Sequence, residues 1–342
     1  MATGIDAQRY HPFQLGAVEI SHPFVQAALS GYSDWPMRTM AKRFGASYAV
    51  AEVMIDRFVN EATSAKTKHH FHVADEDHPV GAQLMGTHPD DFPNAAIRLV
   101  DCGFDVIDIN FGCPVKSAIG GCRGGYHLSQ PEFAQEIIQR VINAVGDRVP
   151  VTVKMRRGID DSTESTDRFF TILDAAFAMG VSAVTVHGRT VEQKYNGPSS
   201  WDFLKSVKQH AGERVILGSG DLFEAPDCIR MIEETGVDGV TIARGAIGNP
   251  WIFRQCQQLA TGESETQAPT LQEQREVMEE HLRLNIEHYP PGKGFGSFKK
   301  LAFRYADLHP QAVDVQTAFG RMKSLDDWNA IMDRFYPRCP NT

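Results

Sequence analysis

Residues 105–145 read DVIDINFGCPVKSAIGGCRGGYHLSQPEFAQEIIQRVINAV. The first eight residues are typical of a buried strand, and residues 131–145 carry apolar side chains at the spacing of an amphipathic helix. The same order recurs along the chain, with further apolar runs at FVQAAL (24–29), YAVAEV (48–53), PVGAQLMG (79–86), PVTVKMR (150–156), SAVTVHGR (182–189), RVILGSG (214–220) and DGVTIARGA (238–246). Eight strands that alternate with helices over roughly 230 residues predict an α/β fold with a parallel sheet, and they fit a closed (β/α)8 TIM barrel better than an open sheet.

Helix ends support this reading. Gly103, Gly180, Gly212 and Gly236 each follow an amphipathic stretch, where a left-handed residue commonly ends a helix. The unit after the second strand is the weakest, because residues 55–78 lack a regular helical period.

The composition changes after the eighth strand. Residues 261–270 are polar and predict a linker, and the segments beyond them are helical without an intervening Val/Ile-rich strand. We therefore expect an N-terminal extension (1–22), a TIM-barrel domain (23–260) and a small all-α domain (270–337).

Bulk properties limit the class of protein. The chain has 342 residues, 42% of them hydrophobic, which is enough for a sizeable core. We expect no membrane segment and no signal peptide, because no long apolar run occurs and the N-terminus lacks a basic and apolar leader. Six scattered cysteines without a CxxC pair favour free thiols and a cytoplasmic location. We expect no metal site, because the sequence contains no cluster of histidines at the spacing of zinc ligands.

The net charge of −9 argues against a nucleic-acid partner for the chain as a whole. Residues 288–306 differ, since they contain Lys293, Lys299, Lys300 and Arg304 and no acidic residue. A local basic patch is therefore expected on an acidic protein.

In a barrel of this kind the active site forms at the carboxyl ends of the strands. The candidates there are Ser30, Glu52, Gln83, Asn110, Cys113, Lys154, Arg156, His187, Arg189, Ser219 to Asp221 and Ala243 to Gly245. Small residues after the last two strands, GSGD and ARGA, are typical of a phosphate site in which backbone N–H groups face an anion. The predicted ligand is a phosphorylated molecule such as flavin mononucleotide.

Lys154 and Cys113 are the most informative of these residues. A lysine at the end of a buried strand either stabilises an anionic flavin or pairs with Asp108 or Glu52. Cys113 lies beyond its strand between Gly112 and Pro114, which favours a general acid or nucleophile over a structural thiol. Cys122, in the sequence GGCRGG, is expected in a flexible surface loop.

The strand ends together resemble the tRNA-dihydrouridine synthase family, which reduces uridine in RNA with a flavin. The similarity covers about residues 23–337 and is carried by DINFGCPVK, VTVKMRRGID, VHGRTVEQKYNGP and IARGAIGNPWIF. The family combines an FMN-binding TIM barrel with a helical RNA-binding domain. The chain departs from the usual family pattern at Ala28, at Ser219 and at residues 123–128.

The resemblance implies roles for individual residues. Cys113 resembles the family's proton donor. Ala28, Leu29, Ser30, Gln83, Lys154, His187, Ser219, Gly220, Asp221, Ala243 and Arg244 correspond to cofactor-binding positions. We expect Asn110 and Arg189 to bind the uracil, and Lys293, Lys299, Lys300 and Arg304 to bind RNA phosphates.

The implied reaction is reduction of uridine to 5,6-dihydrouridine in tRNA, with NADPH or NADH as reductant. The hydride passes from FMN N5 to uracil C6, and the proton passes from Cys113 to C5. A synthase acting on another RNA, an FMN barrel oxidoreductase acting on a small molecule, and a non-catalytic RNA-binding protein are the alternatives. A monomer is the expected oligomeric state.

Overall fold

The computed structural model describes residues 10–63 and 67–338. Of the predicted N-terminal extension, residues 1–9 lie outside the described residues, as does Cys339. The rest of the extension contains an antiparallel hairpin, β1 (Phe13–Leu15) and β2 (Val18–Ile20).

The following eight strands form a closed parallel barrel, which confirms the predicted fold class. They are β3 (Phe24–Gln26), β4 (Tyr48–Ile55), β5 (Val80–Met85), β6 (Val106–Phe111), β7 (Val151–Arg156), β8 (Ala183–His187), β9 (Val215–Ser219) and β10 (Gly239–Ile242). β10 closes the barrel on β3 through Val240–Phe24, Thr241–Val25 and Ile242–Gln26. Every predicted apolar run thus supplies one strand.

Helices connect the strands around the outside of the barrel. They are α1 (Trp35–Arg43), α2 (Asp56–Glu61), α3 (Phe92–Asp101), α4 (Lys116–Ile119), α5 (Pro131–Val145), α6 (Thr163–Ala178), α7 (Trp201–Ala211), α8 (Ala225–Thr235) and α9 (Trp251–Ala260). Short 3-10 segments cover Lys68–Phe71, Asp75–Asp77, Pro89–Asp91, Gly124–Ser129, Gly146–Arg148 and Arg244–Ala246. Among the described residues of 55–78 there are one short helix and two 3-10 segments, in agreement with the lack of a regular helical period in the sequence.

Local chemistry sets the helix ends. Ser162 and Ser200 accept hydrogen bonds from backbone N–H groups of α6 and α7, which satisfies donors that have no partner within the helix. Gly212 and Gly236 follow α7 and α8 with φ of 62° and 76°, a conformation that costs little only for glycine. These caps fix where each loop enters the next strand.

The core lies between the barrel and its helices. Its buried members include Ile107, Ile109, Val153, Val184 and Phe169. The barrel interior is more polar, because Gln83, Asp108, Thr152, Thr185 and Thr241 are all buried there.

The C-terminal part is helical, as expected. It contains α10 (Leu271–His288), α11 (Gly294–Tyr305), the 3-10 segment Ala306–Leu308, α12 (Ala312–Arg321) and α13 (Leu325–Phe335). Its apolar core continues onto the barrel, since Trp35 of α1 and Trp251 of α9 belong to the same cluster as Phe298 and Phe319. The helical region is thereby seated on the α1 and α9 side of the barrel.

Candidate active site

A cavity opens at the carboxyl ends of the barrel strands. It is lined by loop residues that follow β3, β6, β9 and β10 and by side chains from the strands themselves. Predicted residues in this lining are Ala28, Leu29, Ser30, Gln83, Asn110, Cys113, Lys154, His187, Ser219, Gly220, Asp221, Ala243 and Arg244. All eleven predicted cofactor residues and the predicted acid therefore face one cavity.

Asn110 holds Cys113 in place. Its side-chain oxygen accepts hydrogen bonds from the backbone N–H groups of Gly112 and Cys113, both at 2.9 Å. Its Nδ2 donates to Gln83 Oε1 at 2.7 Å. Asn110 was predicted to bind uracil and does line the cavity, but its amide oxygen already holds the Cys113 loop and its nitrogen already donates to Gln83 of β5.

The glycine-rich segment packs against Cys113 from the other side. Gly124 has φ of +61°, and a Cβ placed there would stand 2.8 Å from the Cβ of Cys113. Gly125 N–H donates to the carbonyl of Cys113 at 3.0 Å. The expectation of a flexible loop here is wrong for Gly124 and Gly125, which are buried because only residues without side chains fit against Cys113. Cys122 is partly exposed, with φ of 51°.

Lys154 lies on the cavity floor. Its Nζ donates to Ser219 Oγ at 3.4 Å, so its contact is a hydroxyl rather than the carboxylate of Asp108 or Glu52. Burial lowers the pKa of Lys154 to about 8, an effect that the charge of Asp108 partly opposes. An anionic ligand next to Lys154 would stabilise the protonated, positively charged form of this buried lysine.

Positive charge surrounds His187. Burial, followed by the charges of Lys154, Arg156, Arg189 and Arg244, holds the pKa of His187 far below its usual value. His187 is therefore neutral at physiological pH, and the cavity floor carries a local excess of positive charge on an acidic chain.

The loops after β9 and β10 contain unusual backbone conformations. Gly220 and Asp221 have φ of 116° and 57°, and Ala243 has φ of −104° with ψ of −97°. The Asp221 carboxylate accepts a hydrogen bond from Ser199 N–H at 2.7 Å, which fixes this loop. Arg244 lies 3.6 Å from Asp221 and is partly exposed to the cavity mouth.

Arg189 lies behind the cavity. It is buried, it forms an ion pair with Asp221 at 2.7 Å, and it donates to the carbonyl of Gly197 at 2.6 Å. It does not belong to the cavity lining among the described residues. Its guanidinium holds the β9 loop, and its contact with uracil stays a prediction.

The basic residues of the helical region also divide. Lys299 donates to the carbonyl of Met322 at 2.6 Å, within the helical region itself. Lys300 donates to the carbonyl of Gly31 and lies 4.7 Å from the ring centre of Tyr32, so it ties α11 to the loop after β3. Lys293 and Arg304 are exposed, and Arg304 lies 3.3 Å from Asp307.

Arg156 was a strand-end candidate to which no binding role was assigned, and Tyr195 was not predicted; both line the cavity. Arg156 donates to the carbonyl of Gly112 at 2.9 Å, and Arg156 and Arg244 approach the Tyr195 ring at 5.6 and 5.1 Å. The signal for Arg156 was the alternation of β7, which places it on the same face as Lys154. Tyr195 lies in a loop, for which periodicity gives no signal.

The described residues hold no group of three or more His, Cys, Asp or Glu side chains suited to a metal ion. Within the same residues, no helix combines the length and apolarity needed to cross a membrane.

The chain was compared with known proteins. The family model for dihydrouridine synthase (Dus) matches residues 25–334. A "Probable tRNA-dihydrouridine synthase" of Rickettsia conorii is 33% identical over 310 residues, which are 90% of this chain and 92% of that protein. The "tRNA-dihydrouridine synthase B" of Xanthomonas axonopodis pv. citri is 33% identical over 326 residues, covering 94% and 95% of the two chains.

Solved structures support the fold. Morphinone reductase in complex with tetrahydroNAD aligns with a TM-score of 0.56 and 12% identity over 85% of this chain and 96% of that one. Histamine dehydrogenase from Rhizobium sp. 4-9 aligns with a TM-score of 0.59 and 14% identity over 81% and 51%. At these identities the likeness concerns the barrel alone. The family match over nearly the whole chain shows more: this protein belongs to the dihydrouridine synthase family of enzymes.

Proposed function

We propose that the protein reduces uridine to 5,6-dihydrouridine in tRNA, with FMN bound at the barrel mouth and NADPH or NADH as the reductant. The observation that carries the proposal is the position of Cys113. Its loop is held by Asn110 on one side and by Gly124 and Gly125 on the other, over a cavity whose floor is cationic. The relatives from Rickettsia and Xanthomonas are named as tRNA-dihydrouridine synthases, which supports this activity.

The residues present fit a phosphorylated flavin. Burial first, and then four nearby cations, lower the pKa of His187, and the cations suit an anionic group. The loops of Gly220 and Ala243, with Arg244 beside them, would hold the phosphate. Lys154 and Gln83 would hold the ring system, with the loop of Ala28 to Ser30 beside it. When bound, a flavin supplies hydride transfer to a ring carbon.

The chain's own residues account for the proton. Cys113 carries its proton at Sγ and, as a general acid, donates it to C5 of the uracil. Arg156 donates to the carbonyl of Gly112 at 2.9 Å, so its guanidinium holds the backbone next to Cys113. The uracil must leave its stack to reach the cavity, which costs a few kcal/mol or less where the base is already unpaired.

Lys293 and Arg304 would bind phosphates of the tRNA from the exposed face of the helical region. The five described cysteines are free thiols, which is consistent with a cytoplasmic enzyme.

The direct test uses the purified full chain. We expect flavin absorption in the protein, and dihydrouridine in an unmodified tRNA transcript after incubation with NADPH, measured by nucleoside mass spectrometry. Free uridine at the same concentration is the control substrate. Reduction of free uridine with no product in the transcript would favour a small-molecule oxidoreductase, and a colourless protein without product would contradict the proposal.

A further inference from the structure

A chain of side-chain hydrogen bonds crosses the barrel interior below the cavity. Thr152 Oγ1 and Gln83 Nε2 each donate to the carboxylate of Asp108, both at 2.7 Å. Gln83 Oε1 accepts from Asn110 Nδ2 at 2.7 Å, and Asn110 Oδ1 accepts from the N–H groups of Gly112 and Cys113. Asp108 lies opposite Gln83 and Thr152 in the strand register.

The acceptor at Asp108 and the two backbone donors of Gly112 and Cys113 together set the direction of this chain. An ionised carboxylate only accepts hydrogen bonds, whereas an amide side chain can turn either its oxygen or its nitrogen toward a neighbour. With Asp108 beside it, Gln83 must present Nε2 to the carboxylate, so its Oε1 faces Asn110. Asn110 must then present Nδ2 to Gln83, which leaves its Oδ1 for the two backbone donors of the Cys113 loop.

This order is not a general property of the barrel interior. Thr241 is buried in the same interior space, and its hydroxyl has no hydrogen-bond partner among the described residues. The matched amides of Gln83 and Asn110 therefore reflect the specific anchor on β6.

We propose that Asp108 is a positioning residue that fixes the orientation of the Gln83 and Asn110 amides and thereby holds the Cys113 loop. Its catalytic consequence rests on the proposed function: Gln83 and Cys113 both line the cavity, so one buried acceptor orders a cofactor contact and the proton donor together. Asp108 itself is not among the described residues that line the cavity. What matters is an acceptor at position 108 rather than its negative charge.

The test compares Asp108→Leu with Asp108→Asn. Leucine has a similar size but no acceptor. Asparagine keeps an acceptor for Gln83, because the backbone donors at the loop end already require Gln83 to turn Nε2 toward position 108. Its nitrogen can then donate to Thr152, whose hydroxyl can turn to accept. Thr185→Val is the matched control, because Thr185 borders the same interior space on the neighbouring strand β8, opposite Lys154.

Two readouts do not depend on activity. Hydrogen exchange of peptides that cover residues 111–115 reports the two amides bound to Asn110. Alkylation of Cys113, followed by mass spectrometry with Cys102 as internal reference, reports the freedom of the loop. For Asp108→Leu we expect the exchange rate and the alkylation rate each to rise about fivefold or more, because the amides of Gln83 and Asn110 are no longer held in the orientation that binds the loop. Asp108→Asn and Thr185→Val should stay near wild type.

Catalysis should follow the same order. In Asp108→Leu, kcat for dihydrouridine formation should fall while KM for the RNA stays unchanged, and Asp108→Asn should restore kcat. Wild-type exchange and alkylation rates in a folded Asp108→Leu would overturn the inference, and so would equal damage in Asp108→Asn. If the wild-type protein forms no dihydrouridine, the proposed function is wrong. The exchange and alkylation rates still show whether Asp108 positions the Cys113 loop.

A second pair covers the case in which Asp108→Leu does not fold. Asn110→Asp keeps an acceptor for the N–H groups of Gly112 and Cys113, whereas Asn110→Leu removes it. We expect slow exchange of residues 111–115 in the first variant and fast exchange in the second. Equal exchange in the two variants would overturn the inference.

Discussion

Gly124 offers a sharp test of how the Cys113 loop is built. A left-handed residue other than glycine costs about 1–2 kcal/mol, and Gly124 has φ of +61°. The methyl group of Gly124→Ala would stand 2.8 Å from the Cβ of Cys113 and 3.1 Å from its carbonyl oxygen. Carbon atoms normally approach to about 3.5 Å, so Cys113 would have to move by about 0.7 Å.

A shift of that size should affect the reaction far more than the fold. Misplacement of a reacting group by about 1 Å can cost about 10²-fold in rate. We expect Gly124→Ala to lower kcat for dihydrouridine formation by about that factor, while thermal unfolding shows a folded protein with a modestly lower melting temperature.

Gly121→Ala is the matched control from the same segment. A Cβ at Gly121 would meet only the guanidinium of Arg123, at 2.9 Å, and that group is the movable end of a long side chain. We expect activity close to wild type. A folded Gly124→Ala enzyme with unchanged kcat would refute the idea that this glycine sets the position of Cys113.

Three further outcomes follow from charge. FMN should bind more weakly as pH rises from 7.5 to 9.5, because Lys154, with a pKa of about 8, loses its positive charge in this range. Fluorescence titration of FMN should show a smaller pH dependence in Lys154→Met than in the wild type. Burial, reinforced by the charge of Asp34, raises the pKa of Glu52 in the folded protein to about 7. The unfolded chain loses the Glu52 proton near pH 4.5, whereas the folded protein keeps it until about pH 7, so the free energy of unfolding should fall between these two pH values. Melting curves of Glu52→Gln should lack this fall. Lys293→Ala and Arg304→Ala should each weaken tRNA binding and reduce the slope of log affinity against log salt concentration by about 1. Lys205→Ala on α7 is the control and should leave both quantities unchanged. Equal slopes in all three variants would contradict these phosphate contacts.

The barrel could be predicted because its signals are local. The apolar run of β6 and the periodic stretch of α5 identify one strand–helix unit, and repetition of that unit defines the fold. The set of cavity residues was also predictable, since a parallel barrel brings all strand ends to one face. Lys154 and Cys113 were found in this way.

The partners of each side chain could not be predicted. Arg189 and Arg244 both follow strand ends, yet Arg189 is buried against Asp221 whereas Arg244 lines the cavity mouth. Lys299 and Lys300 are sequence neighbours that bind carbonyl groups of two different regions. Such pairings depend on long-range packing, which spacing along the chain does not encode. The role of Gly124 was hidden for the same reason, because glycine-rich sequence is equally typical of a flexible loop.

The central claim is that Cys113 is the acid of a flavin-dependent uridine reduction, and the most direct measurement separates the two halves of that reaction in Cys113→Ala. We expect flavin reduction by NADPH, followed by absorbance without oxygen, at the wild-type rate. Dihydrouridine formation on tRNA should fall by about 10²–10⁴-fold, the usual contribution of a positioned acid. Cys122→Ala should change neither rate. Undiminished dihydrouridine formation by Cys113→Ala would contradict the claim.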